Sequence, residues 1–244
     1  MSGHSKWSTI KRQKGVNDAK RGQLFSKLTR AITLAAREGG SSPEGNIRLR
    51  LAIEQARASN MPKENIERAV KHAAGADSVA LQEVLYEGYG PFGIAVIVEV
   101  ATDNKNRTGQ EIKNIFEKGG GSLGGPGSVS FQFEQKGLVT VEKGSPQETM
   151  LSLIDMGAQD LEEGTDVIEV YVTPNELSRM KEKIEQGGIK VMSAELTYKP
   201  KNVIPLSDKN KAVKALSFLD ILDDHDDVQR VFANFDIPDN LLSL

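Results

Sequence analysis

The chain contains no cysteine, which excludes disulfides, thiolate metal sites and cysteine nucleophiles. Histidine is scarce: His4, His72 and His225 are the only three, and they are too scattered to suggest a shared metal site. Aromatic residues make up 5% of the chain, with Trp7 the single tryptophan. No apolar run approaches the roughly 18 residues of a membrane span, and the N-terminal region has none of signal-peptide type. These absences predict a soluble intracellular protein. Its 244 residues are enough to bury a real core without staples, in one or two domains or three small ones.

Charge of one sign is also missing overall, since 31 Lys and Arg meet 34 Asp and Glu for a net of −3. That balance hides an asymmetry. Residues 1–75 carry fifteen basic and six acidic side chains, a net of about +9, whereas residues 76–244 net about −12. Within residues 1–30 the count is eight to one. A split of this kind points to a basic, nucleic-acid-facing segment attached to an acidic body. The alternative is a basic face that is merely solvated.

Patterning predicts three sections. Residues 1–16 show no periodicity and read as an extended arm. A helix capped by Asn17 runs to about Arg37 on a stripe of Leu24, Leu28, Ala31, Ile32 and Ala35, and Gly39-Gly40 ends it. Ser42-Pro43 is read as opening a second helix with Ile47, Leu51, Ala52 and Ala56 on its face. A third helix carries Ile66, Ala69, Val70 and Ala73 from Pro62 to Gly75. Beyond Gly75 the period changes to two. Strands at 83–89 and 94–101 flank a Gly90–Gly93 turn, followed by a helix at 106–118 and a glycine-rich loop at 119–127. Val129, Phe131 and Phe133 alternate as a further strand. Residues 137–200 then read βαββαβ, the ferredoxin-like order. A helix near 209–222 and a strand near 228–235 remain, and they can complete the earlier ββαβ unit. The predicted fold class is α+β multidomain, with an N-terminal three-helix bundle and two α/β (ferredoxin-like) domains, one inserted in the other. The expected domains are 1–78, 79–135 with 203–244, and an insertion at 136–202.

Three motifs look catalytic and are better read otherwise. Gly88–Gly93 matches GxGxxG, but a dinucleotide loop must lead into a helix, and IAVIVEV is a strand. Gly120-Gly121-Ser122-Leu123-Gly124 matches GxSxG with His225 downstream, yet a nucleophile elbow needs a strand before the serine and a helix after it. Here that order is reversed. The run Asp220–Asp227 can attract a hard cation but lacks the glycine and the terminal Glu spacing of an EF-hand, so an acidic loop is the simpler reading. The chain is therefore predicted to be no enzyme, with no cofactor and no metal site.

The informative region is basic. Lys6, Lys11, Arg12 and Lys14 surround Trp7 in the arm, and Lys20, Arg21, Lys27 and Arg30 follow on the first helix. Positions 20, 27 and 30 fall largely away from the Leu24/Leu28 stripe. These side chains can neutralise phosphates, and Trp7 can either stack on an unpaired base or pack on the helices.

Gly3-His4-Ser5-Lys6-Trp7, Asp18-Ala19-Lys20-Arg21-Gly22 and Phe25-Ser26-Lys27-Leu28 closely resemble the N-terminal signature of the YebC/PmpR family. So do Asn60-Met61-Pro62-Lys63, Tyr86-Glu87-Gly88-Tyr89-Gly90-Pro91, Asp103-Asn104-Lys105-Asn106-Arg107-Thr108 and Asp226-Asp227-Val228-Gln229 further along. The arm departs from the usual wording at Ser8-Thr9-Ile10 and Gln13-Lys14-Gly15 but stays basic. The resemblance spans essentially the whole chain. It implies three domains and a cytoplasmic DNA-binding transcriptional regulator. Relatives that act in translation, at a mitochondrial cytochrome oxidase message or at ribosomes stalled on proline runs, imply rRNA or tRNA instead. A third possibility is that the acidic α/β body binds a protein partner. No helix reads as a major-groove recognition helix. No membrane partner is expected.

Overall fold

A computed structural model of the chain describes residues 18–74, 81–164, 166–238 and 241. The predicted arm, the Asn17 cap, His4 and Gly75 lie outside the described residues. Two compact units result, one formed by Phe133–Lys201 and the other by the residues on either side of it.

The larger unit begins with helices α1 (Asp18–Gly39), α2 (Ile47–Ala58) and α3 (Lys63–Ala74). Their shared core is Leu28, Ile32, Ala35, Leu49, Ile53, Ala56, Met61, Ile66 and Ala69. The second helix starts later than Pro43 because a different residue caps it. Asn46 is 5% exposed; its Oδ1 accepts from the Leu49 N–H at 3.0 Å, while its Nδ2 donates to the carbonyls of Ala35 (2.7 Å) and Gly40 (2.8 Å). One amide thus caps α2 and ties down the end of α1. Ile47, expected inside, is 52% exposed as the first residue of the helix, while Leu49 and Ile53 are buried beside the expected Ala56.

The same unit continues as β1 (Gln82–Tyr89), β2 (Ala95–Thr102), α4 (Lys105–Gly119) and β3 (Ser122–Leu123). After the second unit come β8 (Ile204–Pro205), α7 (Lys209–Asp223), β9 (Val228–Ala233) and β10 (Phe235–Asp236). The sheet order is β3-β1-β2-β9, antiparallel throughout. Every residue of β2 is buried. One face presents Val96, Val98 and Val100 to Ile112 and Phe116 of α4 and to Phe218, Leu219 and Leu222 of α7. The Phe116 and Phe218 rings meet edge to face, with centroids 5.2 Å apart. Helix α1 lies against β2 and β9. Coverage on both faces accounts for a largely apolar strand, and its one charge, Glu99, is paired with Arg230 of β9 at 2.6 Å.

The predicted strand through Val129 and Phe131 does not form. Glu87 in β1 holds that segment as a loop, accepting from the N–H groups of Gly127 (2.9 Å), Val129 (2.9 Å) and Ser130 (2.8 Å). Burial alone pushes the Glu87 carboxyl up, but these backbone donors outweigh it and hold it below the ordinary glutamate range. Val129 is buried as a result, whereas Phe131 is 64% exposed.

The second unit runs β4 (Phe133–Glu142), α5 (Pro146–Asp155), β5 (Asp160–Glu163), β6 (Val167–Val172), α6 (Leu177–Gln186) and β7 (Val191–Pro200). Its sheet order β5-β6-β4-β7 is antiparallel at each step and is the ferredoxin-like arrangement. Strand β4 begins at Phe133, so residues 133–135, expected to precede the insertion, pair with β7 instead.

The double capping by Asn46 predicts an unusual substitution pattern. Aspartate is ordinarily as good an N-cap as asparagine. Here Asn46→Asp turns a carboxylate toward two carbonyls, and is expected to cost roughly 2–4 kcal/mol in urea unfolding, at least as much as Asn46→Ala. Near-wild-type stability of Asn46→Asp would refute the double cap.

Candidate nucleic-acid interface and the Asp227 cluster

Helix α7 runs into a tight acidic turn, Asp224-His225-Asp226, before β9, and the turn delivers Asp227 to the interior. Its side chain is 5% exposed. Arg30 of α1 bonds Oδ1 at 3.0 Å, and Arg107 of α4 bonds Oδ2 at 2.9 Å. Thr108 donates its hydroxyl to Oδ2 at 2.6 Å. A relay stands behind it: the Asn104 N–H donates to Thr102 Oγ1 (3.0 Å), which lies 2.8 Å from Thr108 Oγ1. Asn104 also caps α4 through the Arg107 N–H, which aims Arg107 and Thr108 at the carboxylate. Burial by itself raises the Asp227 carboxyl; Thr108, Arg107, the charge of Arg30 and Thr102 together overcome this and hold it below the usual aspartate value. Arg107 is bound as well by Asp103, at 2.9 Å.

His225 closes the turn. The Asp227 N–H donates to His225 Nδ1 at 3.1 Å, which leaves the proton on Nε2 facing Glu111 Oε2 at 3.0 Å. Glu111, His225 and Asp227 lie close enough for a shared cation, but the structure already gives these atoms hydrogen-bond partners. Ser122 lies on β3, paired by its backbone with Tyr89, and is not a partner of His225 among the described hydrogen bonds. Two glycines of the GxGxxG match, Gly88 and Gly90, serve packing, and the third, Gly93, serves the turn with φ 77°. A Cβ on Gly88 would lie 2.6 Å from the Ser122 carbonyl oxygen and 2.7 Å from the Phe116 ring.

Of the predicted phosphate-binding residues, Lys6, Trp7, Lys11, Arg12 and Lys14 lie outside the described residues. Lys20 sits in the first turn of α1, and Arg21 beside it is exposed. Lys27 and Arg30 turn inward to the acidic turn. Lys27 bonds the Asp223 carbonyl with its carboxylate 3.8 Å away, and Arg30 bonds the Asp226 carbonyl as well as Asp227. Between α1, α4 and this turn opens a cleft of about 680 Å³, whose walls include Gln23, Arg30, Arg107, Glu111, Lys118 and His225. Its charges are mixed, so it is no phosphate trough by itself.

The cluster therefore joins Phe25–Leu28 and its continuation to Asp103–Thr108 and Asp226–Gln229, segments far apart in the chain. The motifs that carry the resemblance imply no contacts among these segments, and charge patterning directs Lys27 and Arg30 to phosphate instead of to the acidic turn. Only the Asx cap at Asn104 carried a local signal; the pairing of Arg107 with a carboxylate 120 residues later had none.

Residues 5–76 match the family model of the TACO1/YebC protein N-terminal domain, and residues 81–235 match that of the TACO1/YebC second and third domain. The chain belongs to the TACO1/YebC family. Similar members include a probable transcriptional regulatory protein of Dictyoglomus thermophilum, 50% identical over 99% of this chain and 98% of its own. One from Chloroflexus aurantiacus is 49% identical over 100% and 98%. The crystal structure of a conserved hypothetical protein from Aquifex aeolicus, 46% identical, superposes with a TM-score of 0.86 over 91% of this chain and 93% of that one. The TACO1/YebC match covers both sides of the Asp227 cluster. Among the described residues no helix is long and apolar enough to cross a membrane.

Because its folded value is depressed, the Asp227 carboxylate adds stability that is complete above the ordinary aspartate value of 3.8 and is lost as pH falls through the lower native value. Asp227→Asn is expected to cost roughly 2–3 kcal/mol at pH 7, since it leaves Arg30 and Arg107 facing a neutral group. The deficit should narrow below about pH 3.8 in chemical unfolding. A deficit independent of pH would mean that packing, not charge, is what Asp227 supplies.

Proposed function

We propose that this chain is a non-enzymatic regulator of gene expression that binds nucleic acid through its basic N-terminal part, residues 1–78. The observation that carries this reading is the surplus of about nine positive charges in residues 1–75 beside a body of opposite sign. The relatives' description as probable transcriptional regulatory proteins supports it. Lys6, Lys11, Arg12, Lys14, Lys20 and Arg21 are the proposed phosphate contacts, with Trp7 available to stack on a base. Exposed Arg57, Arg68 and Lys71 extend the positive surface across α2 and α3. Lys27 and Arg30 contribute less than their charge suggests, because a phosphate must displace Asp223 and Asp227 to reach them.

Phosphate chemistry is common to DNA and RNA. Crosslinking in cells followed by sequencing of the bound strand separates a promoter-directed regulator from one that works on ribosomal RNA. Co-sedimentation with ribosomes would favour the second.

Neutralising Lys11, Arg12 and Lys14 to Gln is expected to flatten the plot of log affinity against log salt by up to about three units on duplex DNA. Neutralising Lys27 and Arg30 should change that slope by less than one unit. If the arm variant keeps the wild-type slope, the site lies elsewhere.

A further inference from the structure

The turn between β1 and β2 ends in a residue that ought not to be there on conformational grounds. Phe92 has φ 62° and ψ 19°, the left-handed region that glycine occupies freely and large side chains avoid. Among the described residues the only other non-glycine with positive φ is Asn60, which tolerates it. Burial does not compensate Phe92, whose side chain is 41% exposed. A strained, exposed aromatic at a loop tip is the kind of outlier that points to a role.

Its surroundings share a second anomaly. The Nζ atoms of Lys211 and Lys214 on α7 stand 5.6 and 5.8 Å from the centre of the Phe92 ring. Lys209, Lys211 and Lys214 are all exposed, and residues 209–219 contain no acidic side chain. Three lysines at the start of a helix oppose its macrodipole, and α7 carries Asp220 and Asp223 at its other end, which opposes it again. Neither placement favours the helix. Asp208, which caps α7 by accepting from the Lys211 N–H at 2.9 Å, offsets one of these charges, and the three lysines still leave a small cationic island in a part of the chain that nets about −12.

We propose that Phe92, Lys211 and Lys214 form a stacking platform for single-stranded nucleic acid, the ring taking the face of an unpaired base and the ammonium groups the flanking phosphates. This site rests on the nucleic-acid reading above and adds to it a preference for unpaired strands. The chemistry suits RNA and DNA alike, because every base offers a π-face and stacking does not read base edges. A duplex keeps its bases stacked on each other and gains only the lysine contacts.

The test uses the full chain with a labelled twelve-nucleotide RNA, the same sequence as single-stranded DNA, and its duplex. Phe92→Leu keeps the apolar bulk but removes the π-face. It is expected to weaken both single strands by about tenfold and to leave the duplex within twofold. Lys211→Gln with Lys214→Gln should flatten the single-strand salt dependence by about 1.4 units. A Phe92→Trp, Trp7→Phe protein carries its sole tryptophan on the platform, and its fluorescence should be quenched as either single strand is added. Phe92→Asn relieves the strain, so its Tm should not fall while its single-strand affinity does, which separates loss of the site from loss of the fold. Unchanged single-strand affinity in Phe92→Leu, with the arm variant still weakened, would overturn the platform and leave phosphate binding by the arm intact. Wild-type protein that binds none of the three probes would overturn both readings. Competition by polyglutamate as effective as that by the oligonucleotide would show an acidic-peptide site instead.

Discussion

A buried carboxylate has to be compensated where it stands, and Asp227 is compensated by four side chains from three elements. Arg30 comes from α1, Arg107 and Thr108 from α4, and Thr102 from the end of β2. Each of these elements is constrained in position by that one side chain. The apolar core beneath is non-directional and would tolerate α1 sliding on the sheet. Bonds of 2.6 to 3.2 Å to a single carboxylate do not. This accounts for the helical part and the four-stranded sheet forming one compact unit, while the ferredoxin-like insertion forms its own.

The fold was largely legible in the sequence, since both periodicities are clear and the helix breakers are glycines and prolines. IAVIVEV announced a central strand, and the βαββαβ order of the insertion was visible from alternating segments. What escaped was decided at a distance. The second helix begins at Ile47 and not at Pro43, because its cap Asn46 is held by carbonyls at the end of the preceding helix. Val129 to Phe133 had the alternation of a strand, but Glu87, some forty residues earlier, took the N–H groups that a strand would have used. The Asp227 cluster was illegible for the same reason. Charge patterning finds a surplus of one sign, not which lysine will be consumed by which aspartate.

That last point reshapes the electrostatic picture. The chain is not simply a positive half joined to a negative half. At the C-terminal end of α7 acidic groups engage Lys27 and Arg30 directly, so part of the positive surplus is spent internally. At the opposite end of the same helix, about 22 Å away by its fifteen residues, the sign is reversed around Phe92. A polyanion approaching this protein meets a field that varies over one helix length, and its shape matters more than the net charge of either part.

The ferredoxin-like unit enters after Gln132 and leaves before Asn202, and Phe133 pairs with Pro200 across β4 and β7. Its first and last residues are therefore neighbours once it has folded. A flexible loop of about 70 residues would impose a closure entropy of several RT on the surrounding unit. A folded insertion removes most of that burden by holding its two ends together. Yet β9 and α7, which complete the sheet and its core, lie in the last forty or so residues of the chain. During synthesis the insertion can fold first as a unit. The sheet around it must wait until β9 has been made, leaving the largely apolar strand β2 paired on its β1 side alone until then.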